Sequence, residues 1–445
     1  MKLAKPTKNA VMVFVILAVI AYFVVKRWLH LDALGGDQLR TFWEAYRISQ
    51  GETIYRDFTC QYPPLPTWLL GGAMAVFGAT FLTAQWFYLV VGLAVTATFA
   101  LLIRQLVPPP GRFVALFLVV LMFSIESNVM ALFTLSNYTV SIPVGLLFFN
   151  GYLLMLLRFL HTSLSALHMA MFSLCATGAL LSKPEFGLGV IGALIPLLFY
   201  ARTSRPDQTT TRTIAFAEVG ALAVFAIAPA LVAYGIIGVV VGYRELFAGI
   251  TGYYVAQRVV PILPTGYGLV SAVCEIARGA VAVGLPLTVG MLVGKRFRGA
   301  GLCALCSVVG FIVVIGLNQY ALQPEQSNME VIRASLDTIG FSGVVTWASY
   351  GILFYLLFLW AMRRPIPMGL PIQILVVVVC LFQARALFQT HLVRVPDISY
   401  AGCAYIQIMG VIGIYRAIRL FSNNADTLQS NRVIAGANAA FLGLV

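Results

Sequence analysis

What most constrains this chain is the recurrence, from near its N-terminus to beyond residue 400, of apolar runs close to 20 residues long. Wound as an α-helix, a run of that length matches the hydrocarbon thickness of a bilayer. The short alternating segments of a membrane β-barrel are not seen in the pattern. Hydrophobic residues make up 60% of the 445 positions and charged residues 10%, and the mean hydropathy is +0.91, beyond the range of a soluble domain. The expected fold is an all-α polytopic membrane protein of about 12 transmembrane helices, forming one domain over residues 1–445.

Polarity then orients the helices. A net charge of +13 is not read as a nucleic-acid site, because Lys and Arg in a polytopic chain collect on the cytoplasmic side. Lys2, Lys5 and Lys8 precede the apolar run Val11 to Val25, and no small-x-small cleavage site follows. The run reads as an uncleaved first helix with a cytoplasmic N-terminus, which leaves 26–64 outside. Leu65 to Gly78 is short for a span and contains Pro66, Gly71 and Gly72, so it is expected to lie along the interface rather than to cross. The first external loop with its juxtamembrane helices is then 26–82.

The remaining helices follow at 83–103, 113–132, 139–157, 164–181, 187–200 and 213–241. An eighth ends at Lys295, a ninth runs 299–317, and a tenth returns to Arg363 and Arg364. An eleventh covers 368–383, a twelfth ends at Arg416 and Arg419, and 421–445 is a cytoplasmic tail. On this topology every acid except Asp207, Glu218 and Asp426 falls outside. Acids contribute little to orientation, so their clustering asks for a function on the outer face.

The stretch Gly35 to Pro66 concentrates that polarity. It carries Asp37, Glu44, Glu52 and Asp57, with Asp32 just upstream, among Arg40, Arg47, Arg56, Trp43, Tyr46, Tyr55 and Tyr62. Its order is Gly36-Asp37, an Ala-x-Arg, Gly51, then Tyr55-Arg56-Asp57-Phe58, Gln61-Tyr62-Pro63-Pro64-Leu65 and Val76-Phe77-Gly78. This order resembles the first external loop of GT-C-type membrane glycosyltransferases, such as protein mannosyltransferases and the lipid A aminoarabinose transferase. The resemblance is good over some 45 residues and extends weakly along the chain through the topology, Lys183-Pro184 and His391-Leu392. It implies a GT-C-like fold, a sugar donor on a polyprenyl phosphate and a catalytic aspartate at Asp37. Relatives often carry Asp-Glu at that point; here Gln38 follows Asp37, so a second acid is not carried over.

The chemistry of such a transfer sets out the other candidates. A carboxylate must accept the acceptor proton, cations must hold the leaving phosphate, and the site must sit where a lipid donor can reach it. Asp37 is the candidate base, although an Asp ahead of QLRTFWEAYRIS also reads as a helix N-cap. Arg56 and Asp57 are expected either to bind substrate or to pair with each other, and Tyr62 joins the donor site. Glu44 and Arg47, at i and i+3, read as a surface pair. Lys183 and Glu185 flank Pro184 at the outer surface, Lys183 as a donor-phosphate ligand or as a snorkelling interfacial lysine. Arg385, His391 and Arg394 form a late external group in which arginines can grip a phosphate, with Arg258 and Arg244 as further phosphate ligands. Glu275 and Arg278 read as a self-neutralising pair.

A divalent cation, Mg or Mn, is implied by some relatives and not by the residues. Asp37 and Glu126 are the weak candidate ligands. Cys303 and Cys306 lie inside an apolar run and read as packing, not as a metal or redox pair. Asn137-Tyr138-Thr139, at a membrane edge, is read as a chance acceptor match. The expected partners are the bilayer, a polyprenyl-phosphate-linked sugar and a glycan, lipid or protein acceptor. The expected setting is a bacterial inner or plasma membrane, with the site on the periplasmic side. A lipid or glycan transporter is the main competing reading, and a non-catalytic assembly factor the next. A transporter predicts ionisable residues along a midplane path, and the charges here sit in loops.

Overall fold

A computed structural model of the chain describes residues 8–28, 36–60, 62–124, 139–203, 214–256 and 369–388, with Phe133, Tyr405, Ile408, Val411 and Ile412. Those residues are helical apart from short connections and one isolated bridge between Ile54 and Phe58. The helices are α1 (Lys8–Trp28), α2 (Gly36–Ser49), α3 (Leu65–Phe77), α4 (Phe81–Leu106), α5 (Pro109–Ser124), α6 (Ser141–Phe159), α7 (Ala166–Leu180), α8 (Pro184–Thr203), α9 (Phe216–Val241), α10 (Tyr243–Ala256) and α11 (Leu370–Phe388). Of these, α4, α6, α8 and α9 are long and apolar enough to cross a membrane. The expected helices eight to ten, Cys303, Cys306, Asn137, Glu275, Arg278 and the tail lie outside the described residues.

Proline marks where helices begin. Pro66, Pro109, Pro143, Pro184 and Pro371 all stand in a first turn, where the missing N–H is one that a helix leaves unpaired and the fixed φ is already helical. Two other starts are capped by hydroxyls. The Thr80 side chain accepts from the Thr83 N–H at 3.2 Å, and Ser165 serves His168 in the same way. These caps each satisfy an orphan donor.

The segment after helix seven, expected on the external side, begins as a helix, α10. Gly242 alone separates α10 from α9, at φ 98°. That left-handed conformation is open to glycine at little cost, so the chain turns in one residue and starts a new helix.

The contacts divide into two compact units, residues 1–190, 220–252 and 404–445 in one and 191–219 with 253–403 in the other. The core of the first is built on α6, which is buried along most of its length. Phe149 packs on Phe186 and Tyr405, Phe99 on Phe123 and Tyr405, and Tyr152 on Phe172. Glycines let the backbones close up. A Cβ on Gly145 would lie 2.0 Å from the Phe186 ring, one on Gly151 2.7 Å from Cys175, and one on Gly178 2.3 Å from Phe148. Small residues at helix contacts are the usual device where lipid removes the hydrophobic drive for association. One polar tie crosses this core. The Tyr405 hydroxyl donates to Asn150 Oδ1, and Asn150 Nδ2 donates to Thr98 Oγ1 at 3.0 Å. In the second unit, α11 buries Gln373 to Val379, and Gly192 packs against Leu381 and Val377.

Trp28 at the end of α1 meets Trp86 near the start of α4, edge to face at 5.1 Å. The chain therefore leaves α1 and enters α4 at the same end of the bundle. Between them, α2 and α3 form an antiparallel hairpin, since Gly71 packs on Ala45 and Ile48 while Phe81, just beyond α3, stacks on Phe42 at 4.1 Å. Helix α3 has 13 residues, a length of roughly 20 Å, too short for the roughly 30 Å of hydrocarbon.

Candidate functional site

Three parts of the chain meet at this end of the first unit: the connection from α2 to α3, the turn from α7 to α8, and the junction of α9 with α10. The first is organised from α2. Arg47 Nε donates to Glu52 Oε2 at 2.6 Å, its Nη2 donates to the Asp57 carbonyl at 2.9 Å, and its guanidinium lies 4.7 Å from the centre of the Phe58 ring. The Thr53 N–H donates to Asp57 Oδ2 at 2.7 Å, and the Asp57 N–H returns a bond to the Thr53 carbonyl at 2.9 Å. The result is a tight turn that aims Tyr55 inward at φ 67°. A bulky residue in that region costs about 1–3 kcal/mol and persists only where its surroundings hold it.

Those surroundings are clear. Tyr55, Ile54, Phe58 and Cys60 share a cluster with Ile237, Val241 and Leu246. The Tyr55 ring fills the space beside Gly249, where a Cβ would lie 2.2 Å from it. Its hydroxyl donates to the Tyr62 carbonyl at 2.6 Å. Burial pushes the Tyr55 hydroxyl pKa up, and Cys60, Tyr234 and Glu44 add to the rise.

Tyr62 is the centre of the charged part. The Arg40 guanidinium and the Lys183 ammonium each lie 5.7 Å from its ring centroid. Arg40 Nε is 3.4 Å from Glu44 Oε1, and Lys183 Nζ is 3.0 Å from Glu185 Oε1. Lys183 is 0% exposed, Glu185 2% and Glu44 4%. The Cys60 thiol donates to Glu44 Oε2 at 3.3 Å. Burial, with the Glu44 charge behind it, pushes that thiol's pKa far up, so it stays protonated and inert. Backbone joins the parts too, as the Leu65 N–H donates to the Leu181 carbonyl at 3.1 Å.

The expected site residues fall out as follows. Tyr62, Lys183 and Glu185, 121 or more positions apart in sequence between loop and turn, come together. Lys183 is enclosed, not snorkelling. Arg56 and Asp57 pair with each other, Nε to Oδ1 at 3.0 Å, with side chains 54% and 34% exposed. The Arg56 bond is the main reason that the Asp57 carboxyl is held at about 2, below its ordinary 3.8. Asp37 is the second residue of α2 as the helix begins at Gly36, inside the first turn and not at the flanking cap; a carboxylate there is favoured by the helix dipole. By register it stands one turn before Thr41 and two before Glu44. Arg244 is exposed on α10, and Arg385 is in α11. Glu126, Arg258, His391 and Arg394 lie outside the described residues.

The expected surface pair of Glu44 with Arg47 is corrected. Glu44 is buried with Arg40, one turn earlier, and Arg47 turns to the Glu52–Phe58 loop. The i, i+4 spacing of Arg40 and Glu44 was a signal available in the sequence. Nothing comparable flagged Cys60. As for a divalent cation, no group of three or more His, Cys, Asp or Glu converges among the described residues. Glu44 and Glu185 already face Arg40 and Lys183, so this cluster does not offer the converging carboxylates that a hard cation takes.

No known family model matches the sequence, and no curated protein matches it. Among solved structures the chain is similar to archaeal oligosaccharyltransferase AglB from Archaeoglobus fulgidus in complex with an inhibitory peptide and a dolichol-phosphate. That match has a TM-score of 0.47 and 12% identity, over 97% of this chain and 55% of the other. The Archaeoglobus fulgidus oligosaccharyltransferase complex with Zn and sulfate gives 0.47 and 14%, over 95% and 52%. The form tethered to an acceptor peptide containing the NVT sequon gives 0.46 and 11%, over 97% and 53%. The chain spans just over half the length of these structures.

Proposed function

We propose that the chain is an integral-membrane glycosyltransferase of GT-C type, which moves a sugar from a polyprenyl-phosphate donor to an acceptor hydroxyl at the outer face of the membrane. The observation that supports it most is the meeting of the first loop with the α7–α8 turn at Tyr62. Residues that the loop pattern and the Lys-Pro motif single out separately share one end of the bundle, the end to which the charge distribution assigns the outside.

In this reading Asp37 takes the acceptor proton as the acceptor oxygen attacks the sugar, and the polyprenyl phosphate departs. Arg56, on the solvent side of the loop, meets the phosphate, with Arg244, Arg258, Arg385, His391 and Arg394 as the further cationic pool. The α2–α3 hairpin lies in the outer leaflet. Trp43, Trp68, Leu69, Val76 and Phe77 are exposed on it, and apolar and aromatic side chains of that kind favour the headgroup boundary. There a donor whose chain lies in lipid reaches the loop without leaving the bilayer. About 12 spans, inward termini, a periplasmic site and a glycan, lipid or protein acceptor complete the proposal.

Purified protein in liposomes, given a polyprenyl-phosphate-linked sugar, should release the polyprenyl phosphate in an acceptor-dependent manner. A transporter would move the donor between leaflets and leave its glycosidic bond intact. Translocation without cleavage would replace the transferase reading.

A further inference from the structure

The charges around Tyr62 are an expensive way to fill space. A buried ion pair rarely stabilises a fold more than apolar side chains of the same size, because desolvation offsets the attraction. What such groups can do better is fix one arrangement among several. Here Lys183 reaches two partners at once and is sealed from solvent. Its ammonium pairs with Glu185 at 3.0 Å, faces the Tyr62 ring at 5.7 Å and is 0% exposed. The same ring meets Arg40 from α2, and the Tyr62 carbonyl accepts from Tyr55. The cluster thus ties α2, the loop exit and the α7–α8 turn to one aromatic ring.

We infer that Lys183 and Glu185 are a positioning pair rather than donor ligands: they hold Tyr62, and through Arg40 the register of α2, against the bundle. Enclosure of both side chains leaves no side of the ammonium open for a phosphate in this arrangement. Helix α2 is the element that bears Asp37. The inference deepens the proposed transferase reading and rests on it only for what the placement serves, since the placement itself can be measured without any substrate.

Cys60 is a built-in reporter, packed beside Glu44, Tyr62 and Thr67. Lys183→Met/Glu185→Leu removes both charges at nearly constant volume and leaves no unpaired buried ion. Tyr62→Leu removes the ring and keeps the charges. Maleimide labelling of the Cys60 peptide, followed by mass spectrometry on the full chain in liposomes, is the readout, with thermal unfolding as the control. We expect both variants to fold and to label at Cys60 at least tenfold faster than the wild type. Where donor cleavage is active, kcat should fall with KM little changed. Cys60 as protected as in the wild type in whichever variant folds would overturn the inference. Failure of both variants to fold would also overturn it, by making the cluster a plain stability element. Loss of the transferase reading alone would leave the labelling result standing.

Discussion

Arg47 and Asp57 shape the loop at the scale of single residues. Arg47 holds Glu52, the Asp57 carbonyl and the Phe58 ring together. Arg47→Ala should therefore open the 52–58 turn to protease in the folded protein, while the bundle's melting temperature falls only slightly, because partly exposed pairs contribute on the order of 1 kcal/mol or less. A cleavage pattern unchanged from the wild type would count against Arg47 as the organiser. Asp57 gives a pH signature. Its folded-state pKa, about 2, lies below the ordinary 3.8, so the unfolded chain takes the proton first as pH falls. Whatever it contributes is present above 3.8 and disappears on the way down to about 2. Thermal unfolding of Asp57→Asn should differ from the wild type by a constant amount above about pH 5 and converge with it in acid. Widening of the difference in acid would contradict the assignment.

Helix by helix, the close approaches make the sharpest predictions. Gly71→Leu places a side chain where even a Cβ would lie 2.7 Å from Ile48, so it should separate α3 from α2 and speed Cys60 labelling. Gly249→Val should expel Tyr55 from its seat against α10, relieving the left-handed backbone at Tyr55 and raising exchange of the 53–58 amides. Unchanged exchange there would show that α10 does not hold the loop. Much of this level was legible in the sequence. Apolar length placed α4 and α6 to α9 within a few residues, since it acts locally on the helix that bears it, while the expected end of the third helix at 132 lies outside the described residues. The stretch 65–78, expected to be short, forms a 13-residue helix whose neighbours return the chain to its starting end. Helix α10 was not legible, because its boundary is one glycine inside a polar, aromatic stretch that resembles a loop. Nor was the burial of Glu44 and Lys183, since charge in a sequence says nothing of which partner will enclose it. Lys183 and Tyr62 were marked separately by motif, and only the fold puts them on one ring.

For the molecule as a whole, the first unit depends on a tie between distant parts of the chain. Tyr405, Asn150 and Thr98 form one hydrogen-bonded row. Interhelical bonds of this kind in membranes are worth about 0.6 kcal/mol on average, so Tyr405→Phe should lower the melting temperature in detergent modestly. Asn150→Leu should lower it more, because it removes both hydrogen bonds of the row at once. The double variant should be no worse than Asn150→Leu alone, since the residues share one network; additive losses would show that they act separately. This tie joins α4 to α6 through Thr98 and Asn150.

The central claim is that this end is a transferase site with Asp37 as its base. The most direct measurement compares wild type and Asp37→Asn in liposomes, both shown to be folded and to bind a polyprenyl-phosphate sugar. The account predicts that Asn at this position keeps donor binding and lowers the rate of acceptor-dependent donor cleavage by about 10²-fold or more, the scale of a lost general base. Cleavage at the wild-type rate by the folded variant would contradict it.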